Sequence, residues 1–582
     1  MIEISVHTGE DAHAQWADAR FRAEWAALAD ACPWSTVFQG PAFVTTWYDV
    51  YRDRKRPLIL EGRGADGSLV GLLTLAEDVE SGVVPCAGAP IAEYQTWLAT
   101  EECGGPFIQK ALPVLRSVTK APLVRFLSLS PGSPTGWCRS PEAGVRTDVR
   151  AHDRPLMSLD DLAALQASLK KKSNRNRLSR LRRLGEVRLL HLASAERLEP
   201  YLEEILADYD VRQGAAYGVS PFTEDPLMGP FYRRLAAQTD CLHVTALVAG
   251  DKVAAANLGF TNGKQVVLGV IAHSAELASS SPAMLLIRLS AELLSDQGYE
   301  ELDLTIGGSY KWRFASHSDQ VEVLDAYLSR WAHWKHLIRR TAVAVNRRVI
   351  TKLGWGEEEL RSRLRLVARR MKHLRRQPLS RWPSVAREWS SSTNPLAVYY
   401  RETPPEMRDN SEASVLVGAL KPLSYYDEVG SATDRTEFLQ NALRRLEKGA
   451  TPYSIIEGGR LLYVAWSGGE SCLETIPGAE NLRIPEGASL VFGDYAHPDA
   501  QADEALRSTL RRRFVELASS APGRPVLAFV DPAWQGYTDL LESMGFWEWD
   551  RIGVRTERPT TAGQGSAEHP EDPSRATPVE PP

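Results

Sequence analysis

The stretch DLTIGGSYKWRF, residues 303–314, gathers a carboxylate, two glycines and a phenol–ammonium pair into one short segment. Asp303 lies between leucines on a strand-like run, so its side chain is predicted on the face opposite theirs. A carboxylate there could act as general base on an amine or hydroxyl, although a polar strand end would look the same. Tyr310 could protonate a leaving thiolate, and Lys311 could neutralise a phosphate or carboxylate. Gly307 lets the backbone approach a ligand closely, as it would in an ordinary surface turn.

A second cluster is the helix start SSSPAMLL at residues 279–286. Ser281 is predicted as N-cap, with Pro282 in the first helical turn and Ala283 behind it. Free amides and the positive end of the helix dipole favour an anion here, and the Ser280 and Ser281 hydroxyls could add donors. A pyrophosphate would suit this position; an ordinary Ser-Pro cap is the alternative.

The elements around these clusters follow an α+β order. Runs at 242–249, 252–260 and 264–272 read as strands joined by hairpin turns. A helix over 282–297 comes next, and then the strand ELDLTI that carries Asp303. This order places the start of the helix beside the end of the strand, so the two clusters are predicted to share one site.

Composition divides the 582 residues into five regions. The tail has almost nothing to bury and is predicted to be disordered. The regions are an N-terminal domain at 1–150, a second domain at 151–330, basic helices at 331–395, a third domain at 396–556 and the tail at 557–582.

Two basic blocks stand out against a formal net charge of −6. The first, residues 170–183, contains eight lysines and arginines and could hold a nucleotide or glycan phosphate, or be a solvated helix face. The second, residues 330–381, contains sixteen against three glutamates, with interleaved tryptophans. It predicts an interfacial helix in peripheral contact with a membrane at 331–381. No nucleic-acid module accompanies either block, so nucleic acid is an unfavoured partner.

The sequence lacks the motifs typical of zinc sites, serine hydrolases, P-loop proteins and dinucleotide-binding enzymes. The six cysteines have no zinc-site spacing, which predicts no metal. No G-x-S-x-G, P-loop or dinucleotide fingerprint occurs. The N-terminus has neither a basic leader nor an apolar core, and no long apolar run is present, so a cytoplasmic location is expected, with the inner membrane face left open.

Residues 165–330 resemble the GNAT-related acetyltransferases of the CelD type, which are associated with cellulose and exopolysaccharide biosynthesis. Residues 20–130 resemble that family's N-terminal half, as in the tandem GNAT pairs of FemAB-type aminoacyl transferases. The family's S-P-G-x-L-L helix start, D-x-x-x-G strand end and Y-K pair correspond to Ser281-Pro282-Ala283, Asp303 with Gly307, and Tyr310-Lys311, with alanine replacing the usual glycine.

The third segment is similar to a single GNAT domain. In its pyrophosphate loop Gln501 is followed by Glu504 and Leu506 where small residues are usual. A carboxylate repels an anion, so this copy is predicted to be structural. The resemblance thus implies an α+β fold with three GNAT-like mixed-sheet α/β domains and a basic helical linker before the third.

The resemblance also implies an acyltransferase that moves an acetyl or longer acyl group from coenzyme A to an amine or hydroxyl. The acceptor would be a small molecule or glycan related to the cell envelope or exopolysaccharide. Two alternatives stay open: a FemAB-like transferase that uses aminoacyl-tRNA, and a non-catalytic adaptor of a polysaccharide synthase. The implied roles are general base or substrate orienter for Asp303, acid for Tyr310, charge clamp for Lys311, and coenzyme A binding for Ser280, Ser281, Pro282, Ala283 and Gly307.

Overall fold

The computed structural model describes most of the three domains. Most of the basic linker at 331–395, the loop residue Gln501 and the tail at 557–582 lie outside the described residues, so what the sequence predicts for them stays a prediction. No helix in the described part of the chain is long and apolar enough to cross a membrane. The described residues are 2–139, 144–160, 162–340, 370–383, 395–405, 414–429, 433–497 and 502–552, with positions 367, 389 and 431.

The first domain is built on a four-stranded antiparallel sheet in the order β1-β2-β3-β4. A hairpin turn at residues 64–67 joins its second and third strands, and a helix begins at Pro41, a residue favoured in the first helical turn. Its elements are β1 (Glu3–Thr8), α1 (Glu10–Ala17), α2 (Ala19–Ala31), α3 (Pro41–Tyr51), β2 (Lys55–Arg63), β3 (Leu69–Asp78), β4 (Leu98–Ala99), α4 (Gly104–Val118) and β5 (Leu123–Leu129).

The second domain contains an eight-stranded sheet in the order β5-β12-β6-β11-β10-β9-β8-β7. Residue 150 lies inside β6, and β5 of the first domain pairs with β12, so the two domains share this sheet. The new elements are β6 (Arg146–Ser158), α5 (Ala163–Leu169), α6 (Lys172–Arg182), β7 (Val187–His191), α7 (Ala195–Tyr217), α8 (Pro221–Glu224), α9 (Met228–Gln238), β8 (Leu242–Ala249), β9 (Lys252–Asn262), β10 (Gln265–His273), α10 (Pro282–Asp296), β11 (Glu301–Asp303) and β12 (His317–Tyr327).

The three predicted central strands are confirmed as β8, β9 and β10, and the predicted helix as α10. The basic segment at 162–184 is broken into two helices, because Lys171 is extended. The break lets the buried Asn174 amide donate to the Ser168 carbonyl at 2.8 Å. The strand ELDLTI is shorter than expected and ends at Asp303.

The third domain has a seven-stranded mixed sheet in the order β14-β15-β16-β17-β18-β13-β19. Together with the other two sheets it confirms the predicted mixed-sheet α+β fold class. Its elements are β13 (Leu396–Arg401), β14 (Leu416–Val417), α11 (Arg435–Glu447), β15 (Thr451–Glu457), β16 (Arg460–Gly468), β17 (Ser489–Ala496), α12 (Ala502–Ser520), β18 (Val526–Val530), α13 (Gln535–Ser543) and β19 (Trp547–Ile552).

Buried aromatic rings join the first two domains into one core. Phe38 packs edge-on against Phe260 of β9, with 4.9 Å between ring centroids, and Phe43 packs in the same way against Phe231 of α9 at 5.4 Å. The second and third domains meet where α7 packs on α11. A side chain at Gly214 would lie only 2.2 Å from Leu439, so this close approach requires glycine.

Candidate functional site

The two parallel strands at the centre of the second domain separate along their length. β10 pairs with β11 only through Gln265–Val267, opposite Glu301–Asp303. β10 then bulges between Val267 and Val270 and continues to His273 beside β9 alone. Gly269 occupies the bulge, where a Cβ atom would lie 2.2 Å from the Leu258 carbonyl oxygen. The result is a wedge-shaped opening between β10 and the chain that follows Asp303.

The start of α10 lies at the far end of β10. Pro282 is the first helical residue, as predicted, and Ser280 and Pro282 are buried. Ser281 occupies the N-cap position, but its hydroxyl makes no capping bond and its φ is +47°. The expectation of free amides is only partly met, because the Ser280 and Ser281 amides each donate into the preceding turn at 2.8 Å. The positive end of the helix dipole remains.

Asp303 is fully buried, and both of its carboxylate oxygens are engaged. One oxygen accepts from the Tyr94 hydroxyl and from Arg154 at 2.9 Å, and the other accepts from the Thr305 amide at 2.8 Å. Burial raises the pKa of Asp303, and the Arg154 charge opposes that rise. Arg154 also binds Asp319, with 2.7 Å between Nε and Oδ1. Asp303 therefore anchors Tyr94 of the first domain to the second domain, and a role as base would require breaking these bonds.

The turn after Asp303 folds Lys311 back toward the strand end. The Lys311 ammonium donates to the Thr305 hydroxyl at 2.7 Å and the Ile306 carbonyl at 3.4 Å. Burial lowers the pKa of Lys311, while the charges of Glu93 and Asp303 oppose the decrease. Thr305 has a φ of +58°, an uncommon value for a β-branched residue, and Gly307 has +87°. The structure thus brings Lys311, Gly307 and Asp303 together.

Tyr310 faces a different neighbourhood from Lys311. Burial raises the pKa of its phenol, as does the nearby Tyr217, while Arg212 of α7 lowers it. The same Arg212 is influenced by Glu447 of the third domain. The Tyr-Lys pair is therefore split, with Lys311 near the first domain and Tyr310 toward the end of α7.

Glu93 is a site residue that sequence reasoning missed. It lies in a first-domain loop, directly before the Tyr94 that bonds Asp303, and is partly buried. Burial raises its pKa to about 7; the Lys311 charge opposes the rise and the Asp303 charge adds to it. Glu93 also raises the pKa of Tyr209 on α7, so it borders the region between the domains. The signal available in the sequence was a single acid in the otherwise uncharged run GAPIAEYQTW.

The third domain repeats the strand arrangement but fills its interior differently. β17 pairs with β18 through Ser489–Val491 only, and α12 connects them. Arg513 of α12 is fully buried and donates to Asp494 of β17 at 3.2 Å. The Tyr463 and Tyr537 hydroxyls also donate to this carboxylate. This buried network occupies the domain interior beside β17, whereas Glu504 is exposed.

In the ranges that the structure describes, no group of three or more His, Cys, Asp or Glu residues is arranged to hold a metal ion.

Comparison with known proteins finds a similarity for the second domain. Residues 168–313 match the family model described as "Acetyltransferase (GNAT) domain". This match supports the predicted acyltransferase and leaves its donor and acceptor open. No curated protein matches the chain.

Several solved structures show a distant likeness. L-PGS from Bacillus licheniformis is 12% identical over 54% of this chain and 93% of its own, with a TM-score of 0.34. FemX is 9% identical over 52% of this chain and 95% of its own, with a TM-score of 0.33. A tandem GNAT protein from the clavulanic acid biosynthesis pathway is 11% identical over 56% of this chain and 99% of its own, with a TM-score of 0.34.

Proposed function

We propose that the second domain transfers an acyl group from a coenzyme A thioester to an amine or hydroxyl bound between the first two domains. The observation that carries this proposal is the wedge between β10 and the chain after Asp303, with the start of α10 beyond the far end of β10 and Lys311 bonded to Thr305 near the strand end. The charge of Glu93 acts on this Lys311. Coenzyme A dependence is part of this proposal and is supported by the family match over residues 168–313. An acceptor of the envelope or exopolysaccharide class rests on the resemblance of the motifs alone.

The wedge suits an extended donor that carries amides and a thioester. Peptide groups of β10 beyond Val267 have no partner on β11, so they can bond a ligand as a further strand would. The helix start favours the donor's phosphates, which would lie against Ser280, Ser281, Pro282 and Ala283. A strand amide directed at the thioester carbonyl would stabilise the oxyanion that develops during attack.

The acceptor chemistry is assigned to Glu93. Its carboxylate removes the proton from the acceptor nitrogen or oxygen, which attacks the thioester carbonyl carbon. The carbon–sulfur bond then breaks, and the thiolate takes up a proton, with Tyr310 as the proposed donor. The Lys311 charge limits the rise in the pKa of Glu93, and Asp303 positions both residues through Tyr94 and Thr305.

A test combines calorimetry with acetyl-CoA and detection of the free thiol during turnover. We expect Glu93→Gln to bind acetyl-CoA as the unmodified protein does but to lose about 100-fold or more in turnover. Glu80→Gln is the control, because Glu80 is an exposed glutamate of the same domain. Absence of acetyl-CoA binding by the unmodified protein would contradict the proposal and favour the aminoacyl-tRNA alternative. Full activity of Glu93→Gln would refute the assignment of Glu93 as the base and leave the rest of the proposal standing.

Membrane contact through 331–381 is a separate proposal, supported by the helical residues 330–340. Trp331, Trp334 and Ile338 follow helical spacing and are each more than 60% exposed. Lys335 lies over the Trp331 ring at 3.4 Å and adds a cation to this surface. Flotation with anionic vesicles should fall on replacing both tryptophans by serine; unchanged flotation would remove the proposal.

A further inference from the structure

A cavity of about 850 Å³ lies between the α5–α6 pair and α10, and none of the site residues described above lines it. Its volume is in the range of small-ligand cavities. Glu292 on its wall is ten residues beyond Pro282, about 15 Å along the helix axis from the start of α10. The lining residues are Gln166, Leu169, Lys170, Lys172, Arg175, Asn176, Leu178, Ser179, Arg182 and Glu292.

The charge of the cavity is strongly one-sided. Lys170, Lys172, Arg175 and Arg182 line it, and all four are exposed. None of them forms an ion pair with a carboxylate in the part of the chain that the structure describes. Glu292 is the one carboxylate among the lining residues, so the four cations leave a net positive charge that a bound anion would reduce.

The cations share one face of α6 with neutral hydrogen-bonding groups. Lys172, Arg175 and Arg182 are interleaved with Asn176 and Ser179 at helical spacing, so all five side chains face the cavity. Arginine and lysine combined with amide and hydroxyl donors form the usual set for phosphate oxygens. Four of the eight cations at 170–183 line the cavity, and the other four, Lys171, Arg177, Arg180 and Arg183, lie outside it.

The remaining lining residues narrow the class of ligand. Glu292 is a partly buried acceptor, which suits a ligand that has a hydroxyl or amino group as well as anions for α6. Leu169 and Leu178 are partly buried and form an apolar wall suited to a flat ring. A ribose or nucleobase supplies both of these features.

We infer that this cavity is a binding site for a nucleoside diphosphate, separate from the acyl-transfer site. The two phosphates contact the cations of α6, and the nucleoside contacts Glu292 and the two leucines. The site does not depend on the proposed acyl transfer. Duplex RNA is the competing polyanion, and the titration below distinguishes it from a nucleotide.

The test is calorimetric titration of the full chain with ADP and with UDP at about 50 mM salt, where charge screening is modest. Lys172→Ala/Arg175→Ala removes two lining cations. Lys171→Ala/Arg180→Ala is the matched control, because it removes one lysine and one arginine from the same segment outside the cavity. We expect saturable binding that weakens roughly tenfold or more in the first double variant and less than about twofold in the control.

Four results would overturn the inference: no saturable binding of either nucleotide, equal weakening in both double variants, binding of duplex RNA without nucleotide binding, or displacement of the nucleotide by acetyl-CoA. The last result would assign the cavity to the acyl donor. Retained acyl transfer in the cavity double variant, together with lost ADP binding, would support two separate sites.

Discussion

Replacing Glu93 with glutamine should stabilise the fold above neutral pH as well as abolish turnover. Burial raises the pKa of Glu93 to about 7, against 4.5 for an ordinary glutamate. The folded state therefore holds this proton more tightly than the unfolded state does. The contribution of this proton to the free energy of unfolding is fully present below pH 4.5 and is lost as the pH rises to 7. The difference between the two pKa values corresponds to about 3 kcal/mol of unfolding free energy. Glu93→Gln should recover this amount at pH 8 and not at pH 4.5.

Urea unfolding at both pH values, followed by tryptophan fluorescence, measures this difference. The exposed Glu80→Gln variant is the control and should show no pH-dependent gain. Equal stabilisation by Glu93→Gln at both pH values, or destabilisation at pH 8, would refute the reasoning. The kinetic counterpart is a turnover rate that rises with pH, with roughly a fifth of the pH 7 rate at pH 6, because only about a tenth of Glu93 is then ionised.

Further predictions concern strain and buried charge. Ser281→Gly should raise the unfolding free energy by about 1 kcal/mol, because glycine adopts a φ of +47° without strain. Ser281→Ala should give no such increase, and the midpoints of urea unfolding measure the difference. Arg154→Leu should lower the unfolding free energy by about 3–5 kcal/mol by leaving Asp303 buried and unpaired, and adding Asp303→Asn should restore part of the loss in a double-mutant cycle. Arg513→Met should destabilise the third domain by about 3 kcal/mol or more, measured by limited proteolysis, while acyl transfer by the second domain persists.

Local sequence signals predicted the centre of the second domain well. Gly250 and Gly263 lie in turns with positive φ, so the hairpins β8–β9 and β9–β10 follow from residues close together in the chain. The helix start at Pro282 is likewise a local feature. By contrast, the eight-stranded sheet depends on β6 pairing with β12 about 170 residues later, and no local pattern contains that register.

The site was predictable only where its residues are close together in the chain. Asp303 and Lys311 are close in sequence, and their shared contact with Thr305 follows from a short turn. Glu93 lies in a loop without periodicity, and its position depends on the Tyr94–Asp303 bond between residues 209 positions apart. The sequence leaves Asp303 open as a base, a substrate orienter or a polar strand end, because an inward carboxylate on a strand looks the same whether it faces substrate or a buried arginine.

The strained residues indicate how the first two domains depend on each other. Among the described residues, Ser281 and Thr305 are the two non-glycine positions with positive φ, and they lie at the start of α10 and the end of β11. Such conformations persist only where surrounding contacts hold them. Thr305 is held by Asp303 and Lys311, and Asp303 is in turn bonded to Tyr94 of the first domain. The first domain therefore helps to fix the geometry of the wedge as well as supplying Glu93, so loosening the Tyr94 contact should impair the site without removing a group that touches the substrate.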